Sequence, residues 1–368
     1  MKKKNLCKTL LKTICIVLGI LILALLAYIV YLYASYYRIE DNQELVVEAP
    51  VDDTTTGAAA VLATDTEYSA VTYNIGFGAY LPDYSFFMDG GTSSWAESPE
   101  TVQYAINGAG ELVKSLDPDF ALIQEIDLDA TRSYHTDEYE MLRNLLPEYT
   151  TVFAQNYDSA FLFYPFTQPH GSSRAGLGLF SKYPVSSALR RSFPISTSFS
   201  KFFDLDRCYS VSRIPVDNGK ELVIFNLHMS AYGNSDEIRK GQIEMLCNDM
   251  AKEYEAGNYV LCGGDFNHDL KASEEDTESC ESWAFPFPRT ELPEHFAFCL
   301  DLLSSEEREA LWNSARNADM EYVPGVTYTV TLDGFIISDN IECLSYENVN
   351  TGYSYSDHDP VKMDFVLK

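Results

Sequence analysis

The 368-residue chain is short of cations, of tryptophan and of paired-cysteine spacings, and each shortage closes off a class of function. It carries 26 Lys and Arg against 55 Asp and Glu, a formal net charge of −29. Lys2, Lys3, Lys4, Lys8 and Lys12 sit at the extreme N-terminus, so the remainder is more acidic still. Such a surface offers no footprint for gripping long polyanions without sequence preference, although a bound metal reverses the field locally. The eight Cys form no CxxC or Cys/His spacing, which argues against zinc. Cys7 and Cys15 lie in or beside an apolar segment. Cys208, Cys247, Cys262, Cys280, Cys299 and Cys343 could pair if exported, with free buried thiols the default reading. Three Trp against 25 Tyr and 21 Phe suit half-buried strands better than a helical bundle. No glycine-rich nucleotide loop is present: Asn74-Ile75-Gly76-Phe77-Gly78 lacks the third glycine and the helix start. No internal repeat is evident.

What is present is a membrane-type segment followed by an ordinary globular composition. Thr13–Tyr33 is uncharged over about twenty residues, the length of a bilayer crossing. Lysines precede it and none follow closely, so residues 1–12 are expected as a cytoplasmic basic tail and 13–33 as a single transmembrane signal-anchor helix. Tyr28, Tyr31, Tyr33, Tyr36 and Tyr37 form an aromatic belt at its far end. A cleaved signal peptide is the competing reading, disfavoured by the length of the apolar run. Residues 34–66 mix acidic, small and Thr residues without periodicity and read as a juxtamembrane linker, with a short strand possible at Glu44–Glu48. At 46% hydrophobic residues a packed core is expected, and the roughly 300 residues left suffice for one large domain, placed at 67–368.

Within that domain strands are expected at Ser69–Ile75, Phe120–Gln124, Gly176–Phe180, Ser210–Pro215, Glu221–Asn226, Tyr259–Leu261, Phe335–Ile337 and Val361–Val366. Helices are expected at Thr101–Leu116, closed by Asp117-Pro118, at Glu138–Leu145, and at Ser235–Tyr254, the last amphipathic. This alternation implies sheets covered by helices.

Polar residues recur where the apolar runs end, the places where sheet folds build their sites. Tyr73-Asn74, Gln124-Glu125, Asn226-Leu227-His228, Gly263-Gly264-Asp265-Phe266-Asn267-His268, Leu332-Asp333-Gly334-Phe335 and Ser356-Asp357-His358-Asp359-Pro360 are the six. Singly, each is ordinary turn chemistry or a structural histidine. Together, over about Tyr68–Leu367, they resemble the ordered signature of the endonuclease/exonuclease/phosphatase superfamily, with GGDFNH and SDHDP the most specific parts.

The resemblance implies an α+β, four-layer α/β/β/α sandwich of the deoxyribonuclease I type, behind one transmembrane helix. It implies a metal-dependent hydrolase of phosphoesters, phosphodiesterase or phosphatase, using Mg2+, with Mn2+ or Ca2+ as substitutes. Glu125 would be the principal metal ligand, helped by Asn74 and Asp357. Asp265 would orient or deprotonate the attacking water, and Asn267 would hold phosphate. His358 would contact the scissile phosphate, with Asp333 as its carboxylate partner, and His228 would be the general acid for the leaving group. Arg174, before the Gly176–Pro184 segment that matches the family's strand and turn, would be a phosphate contact; a surface salt bridge is its alternative. His228, and Gly76 where abasic-site nucleases tend to carry a carboxylate, point to the branch holding pancreatic-type deoxyribonucleases, bacterial sphingomyelinases and inositol-polyphosphate phosphatases.

Four aromatic-rich stretches, Tyr80–Met88, Tyr157–His170, Phe199–Phe203 and Trp283–Pro288, either rim a substrate or pin their own loops. His170 and His268 fall near motifs as auxiliary candidates; His135 and His295 do not. The expected substrate is a phosphorylated small molecule, a lipid headgroup or nucleic acid, handled at the outer side of the cell membrane, with no protein partner implied. A surface-anchored nuclease would need a basic stripe from Arg174, Lys182, Arg190, Arg191, Lys201, Arg207 and Arg213. A binding protein that reuses the fold would be signalled by loss of Glu125, Asp265 or His358, and all three are present.

Overall fold

Alternation of apolar side chains lets one sheet feed two cores, and the chain uses it twice. The computed structural model describes residues 2–52, 61–202, 204–231, 236–272 and 284–368; Phe203, Ser235, Cys280 and Trp283 lie outside the described residues. The first strands are β1 (Gln43–Glu44), β2 (Val47–Glu48), β3 (Glu67–Asn74), β4 (Phe120–Ala130), β5 (Thr150–Asp158) and β6 (Ser173–Ser181). Then come β7 (Ser187–Ser192), β8 (Cys208–Pro215), β9 (Glu221–His228), β10 (Tyr259–Asp265) and β11 (Phe296–Phe298). The last are β12 (Ala315–Arg316), β13 (Thr329–Val330), β14 (Asp333–Ser338), β15 (Ile341–Asn348) and β16 (Val361–Leu367). One sheet runs β15-β16-β3-β4-β6-β5-β2, the other β1-β7-β8-β9-β10-β14-β11, and β12-β13 form a small ribbon. The pairs β3–β4 and β9–β10 are parallel.

Phe120 and Leu122 point into the core between the sheets, with Ala70, Leu179, Tyr209 and Phe225. Their neighbours Ala121 and Ile123 point the other way, onto α2 (Pro99–Leu116) and α3 (Glu138–Leu145) through Val102, Ile106, Val113 and Leu142. On the second sheet α4 (Asp236–Glu255) lays down Ile243, Leu246, Cys247 and Met250. Helices, sheet, sheet and helix make the four-layer α/β/β/α sandwich expected. Burying one large apolar side chain such as Phe120 or Phe225 contributes about 1.5–3 kcal/mol.

Local chemistry sets the element ends. Ser98 Oγ accepts from Thr101 N at 3.1 Å, Pro99 opens α2, and Asp117 closes it at φ 49° before Pro118. Asp137 caps α3 by accepting from Glu140 N at 2.9 Å. Six strands escaped the sequence reading: β11, β12 and β13 are only two or three residues long, and β5, β7 and β15 carry polar residues on one face, as in Ser-Ala-Leu-Arg-Arg-Ser of β7, which hides their period. The second motif strand is longer than its apolar run, continuing past Glu125 to Ala130 through a register slip between Ile123 and Ile126.

The compact unit begins at Ile39, not at residue 67. Part of the expected linker therefore belongs to the domain: β1 pairs with β7 and β2 with β5, so one short segment edges both sheets. The fully buried Arg190 rivets it, donating to Glu40 O at 3.1 Å, Asp206 O at 2.9 Å and Gln155 O at 2.7 Å. Leu62, fully buried, joins Pro215 O through its N–H at 3.1 Å. Cys208, Cys247, Cys262, Cys299 and Cys343 are free thiols. The N-terminal unit is α1 (Lys2–Ser35). Its Leu6–Ser35 portion has mean hydropathy 3.0 and is long and apolar enough to cross a membrane, a property shared by spans and signal sequences.

Candidate active site

The parallel strands bring their C-terminal ends to one edge, and the motif residues arrive there in register. Asn74 lies beside Gln124 across β3–β4; Asp265 lies beside His228 across β10–β9 and beside Asp333 across β10–β14. The segment before β16 is drawn in by Ser356, whose Oγ donates to Asn74 O at 2.9 Å and accepts from His358 N at 3.2 Å. Beneath the edge, Gln124 Nε2 donates to Asn226 Oδ1 at 2.8 Å, and Asn226 Nδ2 donates to Gly178 O at 3.0 Å. This buried amide pair crosses between the sheets and fixes the separation of β4 and β9, one residue from Glu125 and two from His228.

Glu125 sits in the slip of β4 at φ 56°, a left-handed conformation that costs a non-glycine residue about 1–3 kcal/mol. The slip turns its carboxylate toward Asn74, whose Nδ2 donates at 3.1 Å both to Glu125 Oε1 and to Asp265 Oδ2. Asn74 Oδ1 accepts from Gly76 N at 3.0 Å. Gly76 itself adopts φ 54°, and a Cβ there would meet Tyr80 Cδ2 at 2.7 Å and Asp357 Oδ1 at 3.1 Å. The carboxylate of the abasic-site branch thus has no room here. Gly264 is as constrained: at φ 146° a Cβ would lie 2.1 Å from Leu227 O.

Asp265 is fully buried, with Oδ1 accepting from Asn267 N at 2.9 Å. Burial pushes its carboxyl up to about 7, with Asp333 adding and His358 opposing. Asn267 donates from Nδ2 to Met229 O at 3.0 Å, tying the loop after β10 to the loop after β9. His358 donates from Nδ1 to Asp333 Oδ2 at 2.7 Å, and Ser314 Oγ donates to the same oxygen at 2.7 Å. Burial works against charge on His358, but Asp333, Asp265 and Asp357 outweigh it and hold the ring well above its usual range. His358 Nε2 then faces Asp265 Oδ2 at 3.9 Å.

His228 is the opposite case. Its Nε2 lies 3.4 Å from Asp265 Oδ2 and 3.8 Å from Glu125 Oε1, and its buried Nδ1 has no partner. Burial, then the charge of Arg207, depresses its pKa well below the usual value. Burial and Arg207 thus oppose the protonated ring that a leaving-group acid at His228 would need. Two histidines at one edge are thus shifted in opposite directions.

Among the described residues, the donor atoms of Asp265, Asp333 and His358 lie within 4.8 Å of one another. Nδ1 of His358 is committed to Asp333, so these three read as a hydrogen-bonded relay rather than a chelate. The carboxylates that fit a hard divalent cation are Glu125 and Asp357; Asn74, expected as a further ligand, turns Nδ2 and not its oxygen toward Glu125 and Asp265 and so orients them instead. Burial pushes Asp357 up to about 6, with the charge of Glu125 adding and His358 and Arg316 opposing. Carboxylates crowded so that they resist ionising are stabilised by Mg2+-like charge.

These groups line a cleft of about 450 Å³, with Asn267, Glu125, Asp265, Asp357, His228 and His358 all on its surface. Asn74 and Asp333 stand directly behind them. Arg174 is not brought in: it is half exposed and pairs with Asp129 at 3.3 Å, its alternative reading. His170 does line the cleft, as do Tyr80, Phe86, Met88 and Tyr157 from the aromatic stretches, whereas His268 is buried with Nδ1 2.6 Å from Phe266 O. The basic stripe is absent. Arg190 is buried on carbonyls, Arg191 pairs with Asp41 and Asp249, Arg213 with Glu221 and Glu253, and Lys182 with Asp117. Only Arg207 of that set reaches the cleft, among the described residues. Arg132, Asn156 and Arg316 line it too and were not foreseen, because they come from a turn and from the unread strands β5 and β12.

Comparison with solved structures places the fold. An endonuclease/exonuclease/phosphatase protein from Bacteroides vulgatus is 17% identical with TM-score 0.54, covering 83% of this chain and 100% of its own. ANGEL2, described as a 2',3'-cyclic phosphatase in complex with adenosine-2',3'-vanadate, is 12% identical with TM-score 0.56 over 82% of this chain and 96% of its own. TDP2 from D. rerio, complexed with a single-strand DNA product, is 14% identical with TM-score 0.54 over 82% and 99%. No curated protein matches the sequence. The model of the Endonuclease/Exonuclease/phosphatase family matches residues 71–302, more than half of the chain and most of the motif-bearing strands. The chain belongs to the endonuclease/exonuclease/phosphatase family.

Proposed function

We propose that the protein is a divalent-metal-dependent phosphoester hydrolase whose catalytic domain lies outside the cytoplasm, tethered by its N-terminal helix. The observation that carries the chemistry is the pairing of a carboxyl raised to about 7, Asp265, with an imidazole kept protonated by Asp333, on the wall that also holds Glu125. Glu125 and Asp357 would hold Mg2+, with Asn74 Nδ2 orienting Glu125. The ion supplies charge neutralisation at the phosphate and at the leaving oxygen.

The chain's own groups divide the remaining work. Asp265, fixed by Asn267 N and Asn74 Nδ2, takes a proton from the attacking water, and a pKa near neutrality suits that task. His358 donates from Nε2 to a phosphate oxygen and offsets charge growing there, while Asp333 and Ser314 keep ring and carboxylate from turning. His228 serves as a neutral hydrogen-bond donor, and Asn267 orients phosphate. The missing basic stripe favours a small ester over a long nucleic acid. The location outside the cytoplasm rests on Lys2–Lys12 preceding an uncharged span.

The test is hydrolysis of p-nitrophenyl phosphate and bis(p-nitrophenyl) phosphate by the purified full chain. Chelator should abolish activity and Mg2+ restore it. Glu125→Ala should lose activity that high metal partly returns, and Asp265→Asn should lose about 10² to 10⁴ in rate that metal does not return. Full activity in chelator overturns the reading.

A further inference from the structure

The chain enters its folded domain beside the cleft. Ile39, the first residue of the compact unit, donates from its N–H to Asp206 Oδ2 at 3.2 Å, and Ser192 Oγ donates to Ile39 O at 3.2 Å. Leu205 and Arg207, on either side of Asp206, line the cleft. Ser192 ends β7 opposite Cys208, and Tyr209 next to it faces Leu227 beside His228, so this corner belongs to the edge that carries the motifs. Three residues, Tyr36, Tyr37 and Arg38, separate Ile39 from Ser35 at the end of α1. Four steps of extended chain reach about 14 Å at most, whatever direction the helix takes. With that helix as the tether, the mouth of the cleft is held close to the headgroup layer, itself about 5–8 Å deep.

The same edge bears most of the exposed aromatic side chains in the described part of the domain. Strand β6 is antiparallel to β4, and β5 to β6, so the loop joining β5 to β6, residues 159–172, leaves from this edge. Leu162 and Gly171 close it by exchanging N–H···O bonds at 2.9 and 3.0 Å, and it returns to the cleft through His170. At its tip Tyr164 is 63% and Phe166 84% exposed, with Phe163 half exposed beside them. Phe199, also exposed, comes from the loop between β7 and β8, and Phe285 from the segment bonded to Asp269, four residues past Asp265. Met88 is exposed and lines the cleft itself. Scattered apolar residues are ordinary on a surface, but a group gathered round one mouth marks an interface. The acidic excess of the domain gives no attraction to anionic lipid, so apolar contact must carry the interface. Aromatic rings suit the boundary between headgroups and acyl chains.

We propose that this edge rests on the bilayer that holds the chain's own helix, so that the ester drawn into the cleft is a lipid headgroup whose acyl chains stay in the membrane. The bond that is cut rests on the hydrolase reading; the surface on which the domain rests does not. In that reaction water's hydroxyl joins phosphorus, the phosphorus–oxygen bond to the leaving alcohol breaks, and the remaining water proton ends on that oxygen.

Two measurements on the full chain, reconstituted in phosphatidylcholine vesicles with Mg2+ present, test this. The first places Phe166→Trp at the loop tip and Asp217→Trp at the opposite edge, in the exposed turn between β8 and β9. Quenching by doxyl-labelled acyl chains is read against the three native tryptophans. Phe166→Trp should add emission that is blue-shifted and quenched, and Asp217→Trp emission that is not. The second compares hexadecyl p-nitrophenyl phosphate carried in the vesicles with ethyl p-nitrophenyl phosphate in solution, and hexadecyl phosphate with ethyl phosphate. At equal total concentration the long-chain ester should be cut about tenfold or more faster, because confinement to one surface raises its effective concentration. Phe163→Ser/Phe166→Ser should remove most of that advantage while turnover of the ethyl esters stays within about twofold. Thermal melts establish that each variant is folded, and the comparison of long with short esters needs no variant. Phe166→Trp unquenched, or quenched no more than Asp217→Trp, overturns the proposal. Short esters cut as fast as long ones overturn it too and leave the hydrolase reading standing. If Phe166→Trp is quenched but no ester of either length is cut, the hydrolase reading falls and the docked edge stands.

Discussion

Replacing Asp333 by Asn probes the pairing on which the proposed chemistry depends. Asp333 is 0% exposed, and one of its oxygens accepts from both His358 and Ser314 at 2.7 Å. Asparagine keeps the shape and one accepting oxygen but removes the charge. Breaking a buried ion pair by deleting one partner costs about 3–5 kcal/mol; because His358 can shed its proton and keep a neutral hydrogen bond, the cost here should fall to about 1–3 kcal/mol. The pH dependence fixes the cause. His358 has a folded pKa above its ordinary 6.5, so its contribution is fully present below about 6.5 and is lost as pH rises through the folded value. The gap in stability between wild type and Asp333→Asn should therefore be widest below about pH 6.5 and narrow above it. Urea melts at several pH values measure this. Hydrolysis at neutral pH should fall by about 10² to 10⁴, and His358→Gln added to Asp333→Asn should cost little more, since both changes remove one protonated ring. Independent losses in the double variant, or a stability gap that widens with pH, would refute the reasoning.

Asn226→Leu should cut the link between the sheets while Gln124 Nε2 keeps Thr72 Oγ1 at 3.1 Å and Leu122 O at 3.0 Å, so the cost in urea melts should be about 0.5–1.5 kcal/mol, with Gln124→Leu/Asn226→Leu costing less than the sum of its parts. His170 is lowered to about 3 by burial and then by Arg132, so below about 6.5 the unfolded chain takes up a proton that the folded chain refuses. Stability should fall with pH from about 6.5 toward 3 with a slope of up to ~1.4 kcal/mol per pH unit, and His170→Phe should flatten that slope in thermal melts. A reporter that works only in the cytoplasm, fused after Lys368, should be silent; a working one reverses the proposed orientation.

The residues that meet at the sheet edge were legible because each closes or leads into an apolar run, and a strand end is a position that sequence order marks. Asn74, Glu125, His228, Asp265, Asn267, Asp333, Asp357 and His358 are all of this kind. Arg207 and Asn156 are not: one precedes a strand by a single residue, and the other sits on β5, whose Thr, Gln and Asn blur its period. The slip at Glu125 was equally hidden, since nothing in Gln-Glu-Ile-Asp announces a left-handed residue. Arg174 misled for a related reason. Its place at the start of β6 fits a site contact, but the strand's alternation turns it to solvent and Ala175 to the cleft. The carboxylate behind His358 was legible from the motif, whereas the downward shift of His228 was not, because it comes from burial and then from the guanidinium of Arg207.

The segment from Ile39 to Glu48 has a mechanical consequence. A domain hung from its N-terminus carries any drag on it as tension entering at Ile39. Had the chain joined a single outer strand, that load would peel one edge, a hydrogen bond at a time. Here β1 and β2 hand the load to β7 in one sheet and β5 in the other, and Arg190 cross-ties them beneath. In the tethered arrangement proposed above, strain entering at Ile39 would be divided between the two halves of the sandwich before it reached the strands that carry Glu125 and His228.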